Sequence, residues 1–224
     1  MSSSVATSPT RSNQGSGGAS RRLGNKRWLY QKSAAAFRWV HIYVSMLSFA
    51  SLMFFAFTGI TLNHPTWLGG SDQVIRDESG ELPGHLKKAL SVEPLDELGI
   101  AEWLRAEHRL KGYVAEFTDD EFELMVVYKG PGYSADVFVT RDTGEYMLTK
   151  SESSFIAVLN DLHKGRDSGP GWAILIDVSA IVMMVMSVSG FGLLLYLKRR
   201  RFIGLIVAAI GTIAMLTAWL LFVS

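Results

Sequence analysis

Between residues 39 and 62 the chain carries no Asp, Glu, Lys or Arg, and an apolar run of that length spans the hydrocarbon core of a bilayer. The pattern predicts a transmembrane helix over residues 37–64, ended by Pro65, which pushes its predecessor out of helical geometry. Two further runs, residues 172–197 and 202–223, are equally apolar and are separated by Lys198, Arg199, Arg200 and Arg201. Between residues 65 and 171 the periodicity becomes that of a water-soluble fold. Leu95, Leu98, Trp103, Leu104 and Leu110 recur at roughly helical intervals with charge between them, which predicts an amphipathic helix. Four runs rich in Val, Phe and Tyr follow, residues 111–117, 122–128, 135–140 and 146–150, separated by turn-forming Asp119-Asp120, Gly130-Pro131-Gly132 and Asp142-Thr143-Gly144. Residues 151–154, all Ser or Glu, provide a helix start before the apolar stripe Phe155, Val158, Leu159 and Leu162. The fold class that satisfies this pattern is an α-helical integral membrane protein with three transmembrane helices and a small α+β domain inserted between the first and second.

Charge orients this arrangement. Residues 1–38 hold seven Arg and Lys and no acid, residues 65–171 hold twenty acids against eleven bases, and residues 198–201 add four bases. Basic segments that closely flank spans stay on the cytoplasmic side. The expected order is a disordered basic cytoplasmic tail (1–36) in contact with anionic lipid, a first span (37–64), a periplasmic domain (65–171), a second span (172–197), a basic cytoplasmic loop (198–201) and a third span (202–223). The first apolar run is too long for a signal-peptide core, so the helix is expected to remain as an anchor. Trp67 is expected at headgroup depth. With no cysteine in the chain, disulfides, thiolate metal sites and covalent c-type haem attachment are excluded.

Ionisable groups within or beside a span are costly and mark candidate sites. His41 and His64 stand near opposite ends of the first span. The helical rise separates them by about 34 Å, and their phases differ by roughly 140°, so they serve separate sites. His163, just before the second span, is placed to meet His64, and two neutral imidazoles suit axial ligation of a b-type haem or part of a zinc or copper site. The alternative is that both are interfacial residues bonded to loop carbonyls. His41 has no second histidine on its side and needs an unusual partner or a copy of itself from another subunit; otherwise it is a packing residue. Asp177, five residues into the second span, could orient His64 or His163 as a hydrogen-bond acceptor. Thr58-Gly59 and Ser189-Gly190 read as sites of close helix packing. His85 and His108 read as surface residues of the soluble domain, and Met183, Met184 and Met186 as lipid-facing rather than a copper path. No phosphate-cradling glycine loop, nucleophile–base pair or dinucleotide fingerprint occurs, and topology explains the basic tail better than nucleic-acid binding does.

The stretch from Arg38 to His64, the Asp142-Thr143-Gly144 turn, Leu159 to Gly165 (LNDLHKG) and Asp177 to Arg201 together resemble the PepSY-associated transmembrane family, bacterial membrane proteins with a small PepSY-type domain between the first two helices. Larger members look like inner-membrane iron–siderophore reductases that hold b-type haem on transmembrane histidines, and others accompany outer-membrane receptors or flavin-bearing periplasmic electron carriers. The resemblance carries haem ligation over to His41, His64 and His163. With three spans, one PepSY-like unit and no visible flavin or nicotinamide domain, an electron-transfer subunit is expected rather than a self-contained reductase. It would serve a periplasmic acceptor, an electron carrier or an outer-membrane uptake system, as a monomer or a homo-oligomer. The competing expectations are a membrane-anchored assembly or regulatory protein whose domain binds a periplasmic protein or peptide, and an accessory to metal transport.

Overall fold

The computed structural model describes residues 17–92 and 94–223. Two compact units are present, one formed by residues 48–181 and the other by the remaining described residues. The first helix, α1 (Gly17–Asn63), begins twenty residues before the expected start of the span. No proline lies between Gly17 and Phe37, and Lys, Arg, Leu, Gln and Ala there are good helix formers that outweigh Gly24, so the helical register continues beyond the apolar run. Residues 1–16 of the expected tail lie outside the described residues. At the other end the amide of His64 bonds the carbonyls of Ile60 and Thr61, and the chain turns through a short 3-10 segment, Trp67–Gly69.

The domain is a five-stranded antiparallel sheet with two of its helices packed on one face. Its elements are β1 (Gln73–Glu81), α2 (Gly84–Ala89), α3 (Glu97–His108), β2 (Tyr113–Asp119), β3 (Glu123–Gly130), β4 (Tyr133–Thr140), β5 (Glu145–Ser153) and α4 (Phe155–Lys164). The spatial order is β1-β5-β4-β3-β2. The sequence pattern anticipates β2 to β5 but not β1, whose QVIRDESGE has only two β-branched residues. It is held by nine paired positions on β5 rather than by propensity. Alternate residues of the central strands, Leu124, Val126, Tyr128, Ala135, Val137, Val139, Tyr146 and Leu148, meet Leu86 of α2 and Ile100, Ala101 and Leu104 of α3 in the core. Complete burial of side chains such as Ile100, Leu104 and Leu148 stabilises the fold by about 1.5–3 kcal/mol each. Tyr128 donates its hydroxyl to the Ala101 carbonyl at 2.7 Å, and burial pushes this phenol up to about 12.

Local chemistry ends the helices. Asp96 accepts the amide of Gly99 at the start of α3, and Ser154 accepts that of Ala157 at the start of α4. Gly165, at φ 69°, closes α4 in the left-handed conformation. The remaining helices are α5 (Gly169–Tyr196) and α6 (Arg201–Phe222), and no described residue of α6 is buried. Helices long and apolar enough to cross a membrane therefore number three among the described residues, running over Trp28–Asn63, Gly169–Tyr196 and Arg201–Phe222.

One polar cluster in the domain escapes the sequence pattern. His108, read from sequence as a surface residue, has a side chain only 12% exposed. Its Nδ1 lies 2.7 Å from Glu78, its Nε2 lies 2.8 Å from the Tyr146 hydroxyl, and Lys150 donates to Glu78 at 2.6 Å. Glu78 sits on the unanticipated strand β1, so no sequence signal linked it to His108. The Lys150 hydrogen bond, followed by that of His108, holds the Glu78 carboxyl below its ordinary value of 4.5. A depressed carboxylate contributes stability that is complete above that value and is lost as the pH falls through the lowered one. Glu78→Gln should flatten this acid limb in a pH series of thermal unfolding; an unchanged slope would refute the assignment.

Candidate functional site

Polar side chains along α1 fall on one stripe, at His41, Ser48, Ser51 and Thr58, the three- and seven-residue spacing by which one helix follows another in a left-handed crossing. Burial leaves Ser48 at 1%, Thr58 at 0% and Thr61 at 2% exposed, so these hydroxyls face protein. Each needs a partner there, because an unpaired buried hydroxyl is costly.

Within residues 48–181 α4 packs against these positions of α1. His163 Nδ1 lies 2.6 Å from the Thr58 hydroxyl oxygen, and the same hydroxyl donates within its helix to the Phe54 carbonyl at 2.6 Å. With the only hydroxyl proton directed at that carbonyl, the oxygen accepts from Nδ1–H. The tautomer that results leaves the Nε2 lone pair of His163 available. Phe55 packs edge-on against the ring at 5.1 Å, and a side chain at Gly59 would come into contact with it. One turn along, Thr61 donates to Asn160 at 2.6 Å, and Ser51 meets Ser179 of α5 at 3.1 Å. Burial, with a smaller contribution from Lys164, holds His163 below the usual histidine value, so the ring is neutral at neutral pH.

Within the other unit His41 repeats the device. Its Nδ1 is 3.3 Å from the Met186 carbonyl and 3.2 Å from the Ser189 hydroxyl, which donates to that carbonyl at 2.8 Å. A carbonyl only accepts, so Nδ1 carries the proton and Nε2 the lone pair. A Cβ on Gly190 would lie 2.9 Å from the His41 ring, so this approach requires glycine. The two hydroxyl–glycine pairs read from sequence as packing sites are thus both imidazole seats: Thr58-Gly59 for His163 and Ser189-Gly190 for His41. Among the described residues neither Nε2 has a partner.

The expected pairing of His64 with His163 is not made. Six residues of helix separate Thr58 from His64, a rise of about 9 Å and a rotation of roughly 240°. His64 instead stacks on Trp67, with ring centroids 3.9 Å apart and planes at 9°. Asp177 is exposed on α5 and bonds neither histidine; at His163 the Thr58 hydroxyl takes the orienting role expected of it. His85 is exposed on α2. Among the described residues no three His, Asp or Glu side chains converge as a metal cage, so the zinc or copper alternative on His64 and His163 finds no third such ligand there.

Residues 35–224 match the profile of the family described as PepSY_TM-like. The chain belongs to that family. The match takes in the first membrane helix from residue 35, the other two membrane helices, the α+β domain and both imidazole seats of this PepSY_TM-like protein. No curated protein and no solved structure matches it.

Proposed function

We propose that this PepSY_TM-like chain is an electron-relay subunit of the bacterial inner membrane, with its N-terminus cytoplasmic and its α+β domain periplasmic. In this reading b-type haem is ligated by His163 near the outer side and by His41 near the inner side. The observation that carries it is the state of the two imidazoles: each has Nδ1–H held by an oxygen of a neighbouring helix and leaves Nε2 unengaged, the arrangement that orients a ligating histidine and raises its basicity. The donor set fits the group in part. Each seat would supply one imidazole nitrogen, and another copy of the chain or a partner subunit would supply the second ligand.

Bound haem would supply one-electron transfer without an acid–base step. The chain's own residues do the rest: Thr58, Ser189 and the Met186 carbonyl fix the tautomers, Gly190 lets the His41 ring sit close to α5, and Phe55 packs edge-on against His163. The segregation of base and acid along the sequence supports the orientation. A ferric complex in the periplasm is the acceptor class this topology would serve.

Oxidised and reduced absorption spectra of the protein purified from haem-sufficient cells test the reading. A Soret band is expected that falls by about half in His41→Ala and in His163→Ala and persists in His64→Ala, given one ligand per seat. Absence of the band, or its full retention in both alanine variants, overturns it.

A further inference from the structure

The sheet face away from α2 and α3 is not covered by either helix, and the strand register orders its side chains into rows. One row reads Ser79, Met147, Phe138 and Met125 across β1, β5, β4 and β3. Met147 is 61% and Phe138 40% exposed, an apolar strip in the middle of a domain with net negative charge. The row on one side carries Glu81 directly opposite Glu145, and then Glu123. The row on the other side carries Asp77, Asp136 and Glu116. Like charges directly opposite one another lower the stability of a sheet. Among the described residues the one cation bonded to these six carboxylates is Lys87, which reaches Glu81 from α2. A concavity of about 750 Å³ runs over Gly80, Glu123, Phe138, Glu145 and Met147.

We infer that this open face docks a basic amphipathic helix of a partner protein. Three adjacent strands place Met147 and Met125 about 10 Å apart, which is the rise between positions i and i+7 of an α-helix. Apolar side chains at i, i+3 or i+4 and i+7 would lie along Met147, Phe138 and Met125, and methionine adapts its shape to such a surface. Lysine or arginine on the two flanks of that helix would meet the two carboxylate rows. The same carboxylates repel an anionic membrane surface and a second copy of this face, so neither is the occupant. The basic flanks of this chain's own spans lie, on the orientation proposed above, across the membrane. The inference stands apart from haem binding, because none of these residues touches His41 or His163.

The test uses the full chain in nanodiscs of phosphatidylcholine, with empty discs subtracted. The probe is a synthetic lysine–leucine peptide patterned as an amphipathic helix, followed by titration calorimetry. Saturable one-to-one binding that weakens with salt is expected, and none with the glutamate-for-lysine peptide. The triple variant Glu81→Gln, Glu123→Gln, Glu145→Gln and the double variant Phe138→Ser, Met147→Ser should each weaken binding about tenfold or more. Both alter exposed side chains, and hydrogen-exchange protection of β3 and β4 checks that they fold. The control Glu97→Gln, Glu102→Gln, Glu107→Gln removes the same charge from exposed positions of α3, on the opposite face, and should bind as the parent does. Binding equal in all four proteins, or weakened as much by the control, would mark attraction to net charge and overturn the inference.

Discussion

Gly112→Ala should destabilise the domain by about 2–5 kcal/mol, the sum of left-handed backbone strain and overpacking. Gly112 joins α3 to β2 at φ 79°, and an added Cβ would stand 2.1 Å from the carbonyl oxygen of Lys129 on β3. That neighbour is backbone inside a paired strand, so it cannot swing aside as a side chain could. Arg105 of α3 also donates to the Gly112 carbonyl at 2.5 Å, so displacement of the turn pulls on the helix as well as the sheet. Hydrogen exchange of β2 and β3 amides in the intact protein reads the loss, because those amides open with the domain core. Gly84→Ala is the matched control: no atom lies within 4 Å of its Cβ, its φ needs no glycine, and stability should hold or rise slightly. Equal protection in the two variants would refute the packing argument.

Thr58→Val should cost on the order of 1–3 kcal/mol, because it leaves the His163 Nδ1–H without its acceptor. The valine keeps the shape of a fully buried side chain and removes only its oxygen. On the haem reading it should also lower haem affinity about 10–100-fold, the usual cost of losing the group that orients a ligating histidine. Thr58→Ser retains the oxygen and should restore most of both. Haem titration with the absorption spectrum as readout measures one effect, and exchange protection of α4 measures the other. If valine and serine behave alike in both, the hydroxyl orients nothing. If only the α4 effect appears, the hydrogen bond is structural and the haem reading loses its main support.

What could be read in advance depended on how local each cause is. Ser154 and Gly165 bound α4 as the sequence pattern requires, because caps and left-handed stops are properties of a few consecutive residues. Strand β1 was illegible, because its strand character comes from nine pairings with β5, more than sixty residues away in the chain. The burial of His108 has no sequence signal for the same reason: its partner Glu78 is on that strand. His41 and His163 were legible as candidates by residue type and place. Their partners were not, because a helix shows a different residue every 100°, and which one meets a neighbouring helix depends on packing phase.

The sequence by itself determined the three membrane helices, the α+β domain between the first two and the histidines to consider, because length, apolarity and charge act along the chain. Only the tertiary structure decided that His163 seats on Thr58 rather than opposite His64, that Asp177 faces outward, and that six carboxylates frame one apolar strip. These follow from which residues face one another across helices and strands, and that is a property of the packed chain.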